Sequence, residues 1–148
     1  MDNVIVRCGG CSAKNRIPRN RMSEKPRCGK CRSPLAVNGL YPEHPVTVSD
    51  TSFGEEVLRF PGAAAAFFWS PSCGYCQRMM PALDRTASRH AGNIKFAKLI
   101  LEQNPFTSSH YGVQSVPTLI LFKHGREVHR ITGALPEEEL QKQLRILL

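Results

Sequence analysis

All six cysteines of this chain fall in three Cys-x-x-Cys pairs: Cys8/Cys11, Cys28/Cys31 and Cys73/Cys76. No other feature constrains the fold as tightly. The third pair follows an apolar run, Ala63 to Phe68, that ends in Trp69. A short polar turn, Ser70-Pro71-Ser72, leads into Cys73, and a helix-like segment runs from Gln77 to His90. A Cys-x-x-Cys pair at a strand-to-helix junction reads as a redox dithiol. Unpaired N–H groups and the macrodipole at a helix start favour negative charge at Cys73. The thiolate is the nucleophile, and such positions lower a thiol pKa from about 8.5 to as low as about 3.5–7.5. Cys76, one turn on, is placed to attack a mixed disulfide on Cys73 and release the product. Zinc is the rival reading for any such pair. The five histidines (His44, His90, His110, His124, His129) are scattered, and none pairs at ligand spacing to complete a site there.

The first two pairs read differently. Sixteen residues separate Cys11 from Cys28, which matches the spacing of two zinc knuckles. Four thiolates suit zinc, and a closed Cys₄ set is structural rather than catalytic. Gly9, Gly10 and Gly29 let the backbone turn so that its N–H groups face the sulfurs. The segment holds few large apolar residues (Val4, Ile5, Val6, Ile17, Met22, Leu35, Val37), so folding and metal binding are coupled. Two structural disulfides are the other reading, and a reducing compartment disfavours them.

The formal charge of +8 is unevenly placed. Residues 1–44 carry nine Lys/Arg against three Asp/Glu, and residues 45–148 carry eleven against nine. Basic residues between the knuckles, such as Lys14, Arg16 and Arg27, invite acidic partners or nucleic acid. No aromatic residue is interleaved there for base stacking, which argues against nucleic acid. No apolar run approaches the ~20 residues of a membrane span. The N-terminus lacks a charged stretch followed by an apolar one, so no signal peptide and a cytoplasmic location are expected.

The stretch Asn38 to Pro45 is rich in turn formers. It divides a small domain (1–40) from a larger one (46–148), with 41–45 as linker. In the larger part, strands are expected at 46–48, 63–69, 93–101, 116–123 and 126–132. Asp50 or Ser52 can cap a helix reaching about Arg59, and Ser52-x-x-Glu55 fits a capping box. Pro81 is expected to kink the helix after Cys76. Pro136, at the first helical position, with Glu137 to Glu139 behind it, opens a last helix.

These segments carry a resemblance. Trp69-Ser-Pro-Ser-Cys73-Gly-Tyr-Cys76 followed by Met79-Met80-Pro81 resembles the thioredoxin active site. Phe96 to Leu99, Gln103-Asn104-Pro105, Tyr111-Gly112-Val113, Val116-Pro117-Thr118, Leu121-Phe122-Lys123 and Gly133-Ala134 fall in thioredoxin order. The whole chain is similar to bacterial thioredoxins that carry an N-terminal zinc ribbon. The resemblance implies an α/β thioredoxin fold, a central mixed sheet flanked by helices, preceded by a small Cys₄ zinc ribbon. It implies a thiol-disulfide oxidoreductase that reduces protein disulfides, with Cys73 as nucleophile and Cys76 as resolving thiol. It places Trp69, Val116, a cis Pro117, Gly133 and Ala134 in a substrate groove, and gives one structural zinc to Cys8, Cys11, Cys28 and Cys31. The implied partners are disulfide-containing proteins and a thioredoxin reductase.

Three positions depart from that pattern. Phe67 stands where the family usually has a buried Asp that accepts the resolving cysteine's proton. Lys98 thereby loses its usual partner and is expected to reach solvent or Glu102. Ser72 replaces a Trp before the nucleophile, and Tyr75 replaces a Pro, freeing an N–H near Cys73. These changes point to a reduction potential less negative than about −270 mV, the thioredoxin reference value. They also keep an oxidising, isomerase or deglutathionylating variant open, beside a zinc-dependent binding or holdase module whose dithiol is secondary.

Overall fold

The computed structural model describes residues 3–18, 21, 24–35, 42–60 and 62–148. Asn38 to Tyr41, where the linker begins, lie outside the described residues, as do Met22 and Val37.

The larger unit is built on a strand that water never reaches. Ala63–Trp69 (β4) is fully buried up to its last residue, which is half-buried. It runs parallel to Ile94–Ile100 (β5) and antiparallel to Thr118–Lys123 (β6). A two-residue strand, Val46–Thr47 (β3), and Arg126–Thr132 (β7) close the edges, in the order β3-β5-β4-β6-β7. Side chains alternate across a strand, so β4 serves two cores. Ala64, Ala66 and Phe68 face Phe53, Val57, Ile120 and Phe122. Ala63, Ala65 and Phe67 face Leu83 and Ala87 of Gly74–Arg89 (α1) and Leu140 and Leu144 of Glu137–Leu144 (α3). Alanines are poor strand formers. Burial on both faces overrides propensity, and the large side chains of neighbouring elements fill the space above them.

The element order follows the expected one, with local differences. The helix expected before β4 is a single wide turn, Gly54–Leu58. Its capping box does not form: the Ser52 hydroxyl accepts the Ser49 N–H at 2.9 Å, and the Ser49 carbonyl accepts the N–H groups of Ser52 and Phe53. Asp50 works elsewhere. Its carboxylate accepts the N–H groups of Phe106 and Thr107 at 3.1 and 2.9 Å, capping Pro105–His110 (α2) from across the chain. β6 starts at Thr118 rather than 116, because Pro117 has no N–H for the ladder. Pro136 precedes α3 as its N-cap instead of opening it. Pro81 lies inside α1, where its missing N–H leaves the Gln77 carbonyl without a helical partner. Lys95 is nearly buried, its ammonium 2.6 Å from Glu56 and 4.9 Å from the Phe60 ring centre.

The small unit is a two-stranded antiparallel ribbon, Asn3–Arg7 (β1) and Lys14–Pro18 (β2), carrying the two cysteine knuckles. Its Val6, Ile17 and Leu35 join the apolar cluster of Val48 and Phe53, so the two units share contact. Among the described residues, no helix is long and apolar enough to cross a membrane.

Desolvation works against the Asp50 charge, but the hydrogen bonds from Thr107 and Phe106 outweigh it and hold the carboxyl below its ordinary value. A carboxyl lowered on folding stabilises above its unfolded pKa of about 3.9, and that stability is lost as pH falls through the native pKa. Urea unfolding should show Asp50→Ala weakening the protein by about 1 kcal/mol at pH 7. The gap between variant and parent should narrow as pH is taken below about 4.

Candidate active site and metal centre

Cys73 is the N-cap of α1, in an extended backbone conformation. Its sulfur accepts the Cys76 N–H at 3.1 Å, one of the orphan donors of the first turn. That is the donor that reaches it; the Tyr75 N–H, freed by the absence of proline, makes no bond to the sulfur. The Ser70-to-Cys73 turn is closed by Cys73 N–H donating to Ser70 O at 3.1 Å. Cys73 is partly exposed.

Cys76, three residues on, is completely buried. It packs in the apolar cluster that holds Phe67, Met79 and Leu83. Burial, reinforced by the neighbouring Cys73 sulfur, pushes the Cys76 thiol up to about 12. The two sulfurs of one Cys-x-x-Cys pair therefore occupy opposite environments: one at a helix start facing solvent, one beneath it in an apolar wall. Phe67 lies in that same wall, and among the described residues no carboxylate is hydrogen-bonded to Cys76.

The structure brings several of the other expected residues to this place. The Val116–Pro117 bond is cis, and the Val116 carbonyl lies 3.9 Å from Cys73 Sγ. Trp69, Cys73 and Val116, each partly exposed, pack against one cluster. Gly133, at φ +97°, donates its N–H to Pro117 O at 2.9 Å, which ties the end of β7 to the proline loop. Ala134 beside it is exposed. Tyr75 is 62% exposed on the first turn of α1, with the Arg78 guanidinium 5.3 Å from its ring centre.

Lys98, expected to reach solvent or Glu102, is only half-buried next to Phe67 in the β4–β5 register and makes no ion pair among the described residues. Glu102 does not receive Lys98 but accepts the Ser70 hydroxyl at 2.9 Å. Ser72, in turn, lies 3.1 Å from Ser70, oxygen to oxygen. The sequence offered no periodicity or motif that linked Ser70, Ser72 and Glu102, which are thirty-two residues apart at the extremes.

In the ribbon, all four sulfurs of Cys8, Cys11, Cys28 and Cys31 lie within 4.8 Å of one another. Cys8 and Cys31 are 3.6 Å apart, as are Cys11 and Cys28. A tetrahedron with metal–sulfur bonds of ~2.3 Å places its sulfurs ~3.8 Å apart, so the set fits one thiophilic ion. The two knuckles repeat each other. Cys8 N–H donates to Ala13 O at 2.9 Å and Cys28 N–H to Ser33 O at 2.8 Å. Arg7 and Arg27 each donate to a carbonyl five residues on, at 3.2 Å. Gly10 and Lys30 N–H groups face the sulfurs of Cys8 and Cys28 at 3.3 and 3.4 Å. The left-handed residues of the turns are Ser12 and Arg32, not the glycines expected to supply the freedom. Backbone N–H groups of Cys31 and Lys30 hold the Cys28 thiol down to about 6, and the Ser33 hydroxyl lowers Cys31. Donors aimed at sulfur favour thiolates, the form that binds metal.

A model of the thioredoxin family matches residues 44–146, so the chain belongs to the thioredoxin family, the thiol-disulfide oxidoreductases built on this fold. A second model, of the N-terminal region of thioredoxin 2, a zinc ribbon, matches residues 7–33. The chain is 33% identical over 141 residues to thioredoxin C-3 of Corynebacterium nephridii, covering 95% of this chain and 93% of that protein. It is 40% identical over 97 residues to a thioredoxin of Synechocystis sp., covering 66% and 91%. A thioredoxin of Alicyclobacillus acidocaldarius matches at 39% over 99 residues, covering 67% and 93%.

The asymmetry of the dithiol has a direct reading in alkylation. At pH 7 iodoacetamide should modify Cys73 and leave Cys76 untouched in the folded, reduced protein, as read by peptide mass mapping. In a Cys73→Ser variant, Cys76 should react slowly and keep accelerating as pH is raised through 10, because burial still holds its thiol above the ordinary range.

Proposed function

We propose that this chain reduces disulfide bonds in proteins through the Cys73-Gly74-Tyr75-Cys76 dithiol. The observation that carries the reading is the division of labour between the sulfurs, one capping α1 and the other buried behind it. Cys73 thiolate attacks one sulfur of a substrate disulfide. The other substrate sulfur leaves as a thiolate and takes up a proton. Cys76 then gives up its proton to solvent and attacks Cys73 Sγ, which breaks the mixed disulfide and frees the second substrate thiol. Two electrons pass to the substrate, and the Cys73–Cys76 disulfide remains. Its reduction falls to an external dithiol donor, a thioredoxin reductase.

Trp69, Val116, Pro117, Gly133 and Ala134 form the surface on which an extended substrate segment lies. The cytoplasm, where thiols are kept reduced, suits both the dithiol and the ribbon. The ribbon holds a structural zinc on Cys8, Cys11, Cys28 and Cys31. When bound, the ion supplies cross-linking to a segment too poor in apolar residues to fold by itself. The domain limits 1–40, 41–45 and 46–148 go with this reading, since the two family models match 7–33 and 44–146.

A second reading is favoured by one observation. With Phe67 beside Cys76, the resolving step lacks a resident carboxylate, and a mixed disulfide persists longer than in a reductase that has one. That suits a monothiol exchange such as deglutathionylation.

The test is insulin disulfide reduction with a dithiol donor. Cys73→Ser should fall to the uncatalysed background. Cys76→Ser should stop after one step and accumulate a mixed disulfide at Cys73, visible by mass spectrometry. A Cys73→Ser protein of full activity would refute the reading. Separately, the purified chain should carry one zinc by atomic emission. Cys28→Ala should lose it and unfold the ribbon, while the circular dichroism of the larger domain persists.

A further inference from the structure

Ser70 opens the turn that leads to Cys73. Its carbonyl accepts the Cys73 N–H at 3.1 Å. The residue is 7% exposed, and its side chain is held rather than free. Ser70 O–H donates to Glu102 Oε1 at 2.9 Å, and Ser72 Oγ lies 3.1 Å from Ser70 Oγ. A serine hydroxyl has one proton to give. Since Ser70 gives its proton to the carboxylate, Ser72 is the donor in the second pair. An unbroken chain thus runs from an exposed carboxylate to the residue directly before the nucleophile.

The far end of that chain is rigid. Glu102 lies in the short 3₁₀ turn Leu101–Gln103 that continues β5. Asn104, buried, donates to Ile100 O at 2.8 Å and accepts the Asp50 N–H at 2.9 Å. Ser108 Oγ–H donates to Leu101 O at 3.1 Å. The turn carrying Glu102 is therefore pinned on both sides. Among the described residues, no other carboxylate is hydrogen-bonded to the segment from Ser70 to Cys76. A hydrogen bond to an ionised acceptor is roughly twice as strong as a neutral one, and linked hydroxyls polarise one another.

We propose that Glu102 is a positioning residue for the dithiol reaction: through Ser70 it fixes the turn that presents Cys73, and so sets the rate at which Cys76 resolves the mixed disulfide on that sulfur. The inference rests on the reductase reading above. If Ser70 drifts, the turn that presents Cys73 drifts with it, and so does the sulfur that Cys76 must reach.

The experiment uses the full, zinc-loaded chain. The reduced protein is mixed with a small peptide disulfide, quenched with acid at intervals, and the Cys73–peptide adduct is followed by mass spectrometry. Glu102→Ala should lengthen the lifetime of the adduct about tenfold, the loss of roughly one well-made hydrogen bond. Glu102→Gln keeps an oxygen that accepts from Ser70 and should restore most of the rate. Ser70→Ala should match Glu102→Ala, and the double variant should be no slower than either. An adduct in Glu102→Ala that resolves at the parental rate overturns the inference. So does a Glu102→Gln as slow as Glu102→Ala, because the charge and not the hydrogen bond would then matter. A parent protein that forms no Cys73 adduct at all would sink the reductase reading itself, a result distinct from either.

Discussion

The start of α1 decides what this protein can do. A helix leaves its first N–H groups without partners, and here Cys73 caps them with a sulfur. The cap holds the Cys73 sulfur partly exposed with a donor aimed at it. The same geometry puts the residue three positions on at the inner face of the first turn, where the Cys76 thiol is buried. A 3.6-residue period thus turns four consecutive residues into two sulfurs of opposite character, within reach of each other.

The rest of the fold serves that helix start. β4 must end at the point where α1 begins, and it does so because its seven residues are buried on both faces and end in half-exposed Trp69. β6 and the cis Val116–Pro117 bond bring a carbonyl to the other side of Cys73. β7 ends in Gly133, bonded back to the proline loop. Three strands and one helix therefore converge at one end of the sheet, the edge at which ligands meet open α/β sheets. The ribbon obeys a separate constraint. It repeats one knuckle twice, and the convergence of four sulfurs replaces the core that its composition cannot supply.

Much of this was legible in the residues. The Cys-x-x-Cys spacing, the apolar run before the third pair and the sixteen-residue gap between the first two located both centres. Apolar runs, read together with the family resemblance, placed β4 to β7 within one or two residues. What stayed hidden depended on tertiary contact. Asp50 looked like the cap of the helix next to it, yet it caps α2, fifty-odd residues away. Ser52 and Glu55 had capping-box spacing, but Ser49 captured the turn. Lys95 gave no sign of being the nearly buried cation paired with Glu56, and Lys98 drew attention instead. Glycine is the default for left-handed turns, so Ser12 and Arg32 could not be picked out from sequence. Ser70 and Glu102 were unremarkable letters until the fold set them side by side.

The central claim is that Cys73 and Cys76 form a reversible redox couple. It is tested most directly by the equilibrium reduction potential of the full chain, followed through its single tryptophan in glutathione or dithiothreitol buffers. Trp69 lies four residues before Cys73 and packs against the same cluster. The account predicts one two-electron transition, at a potential less negative than about −270 mV, that disappears in Cys73→Ser. Fluorescence indifferent to the redox buffer, with Cys73 still a free thiol in the most oxidising one, would contradict it.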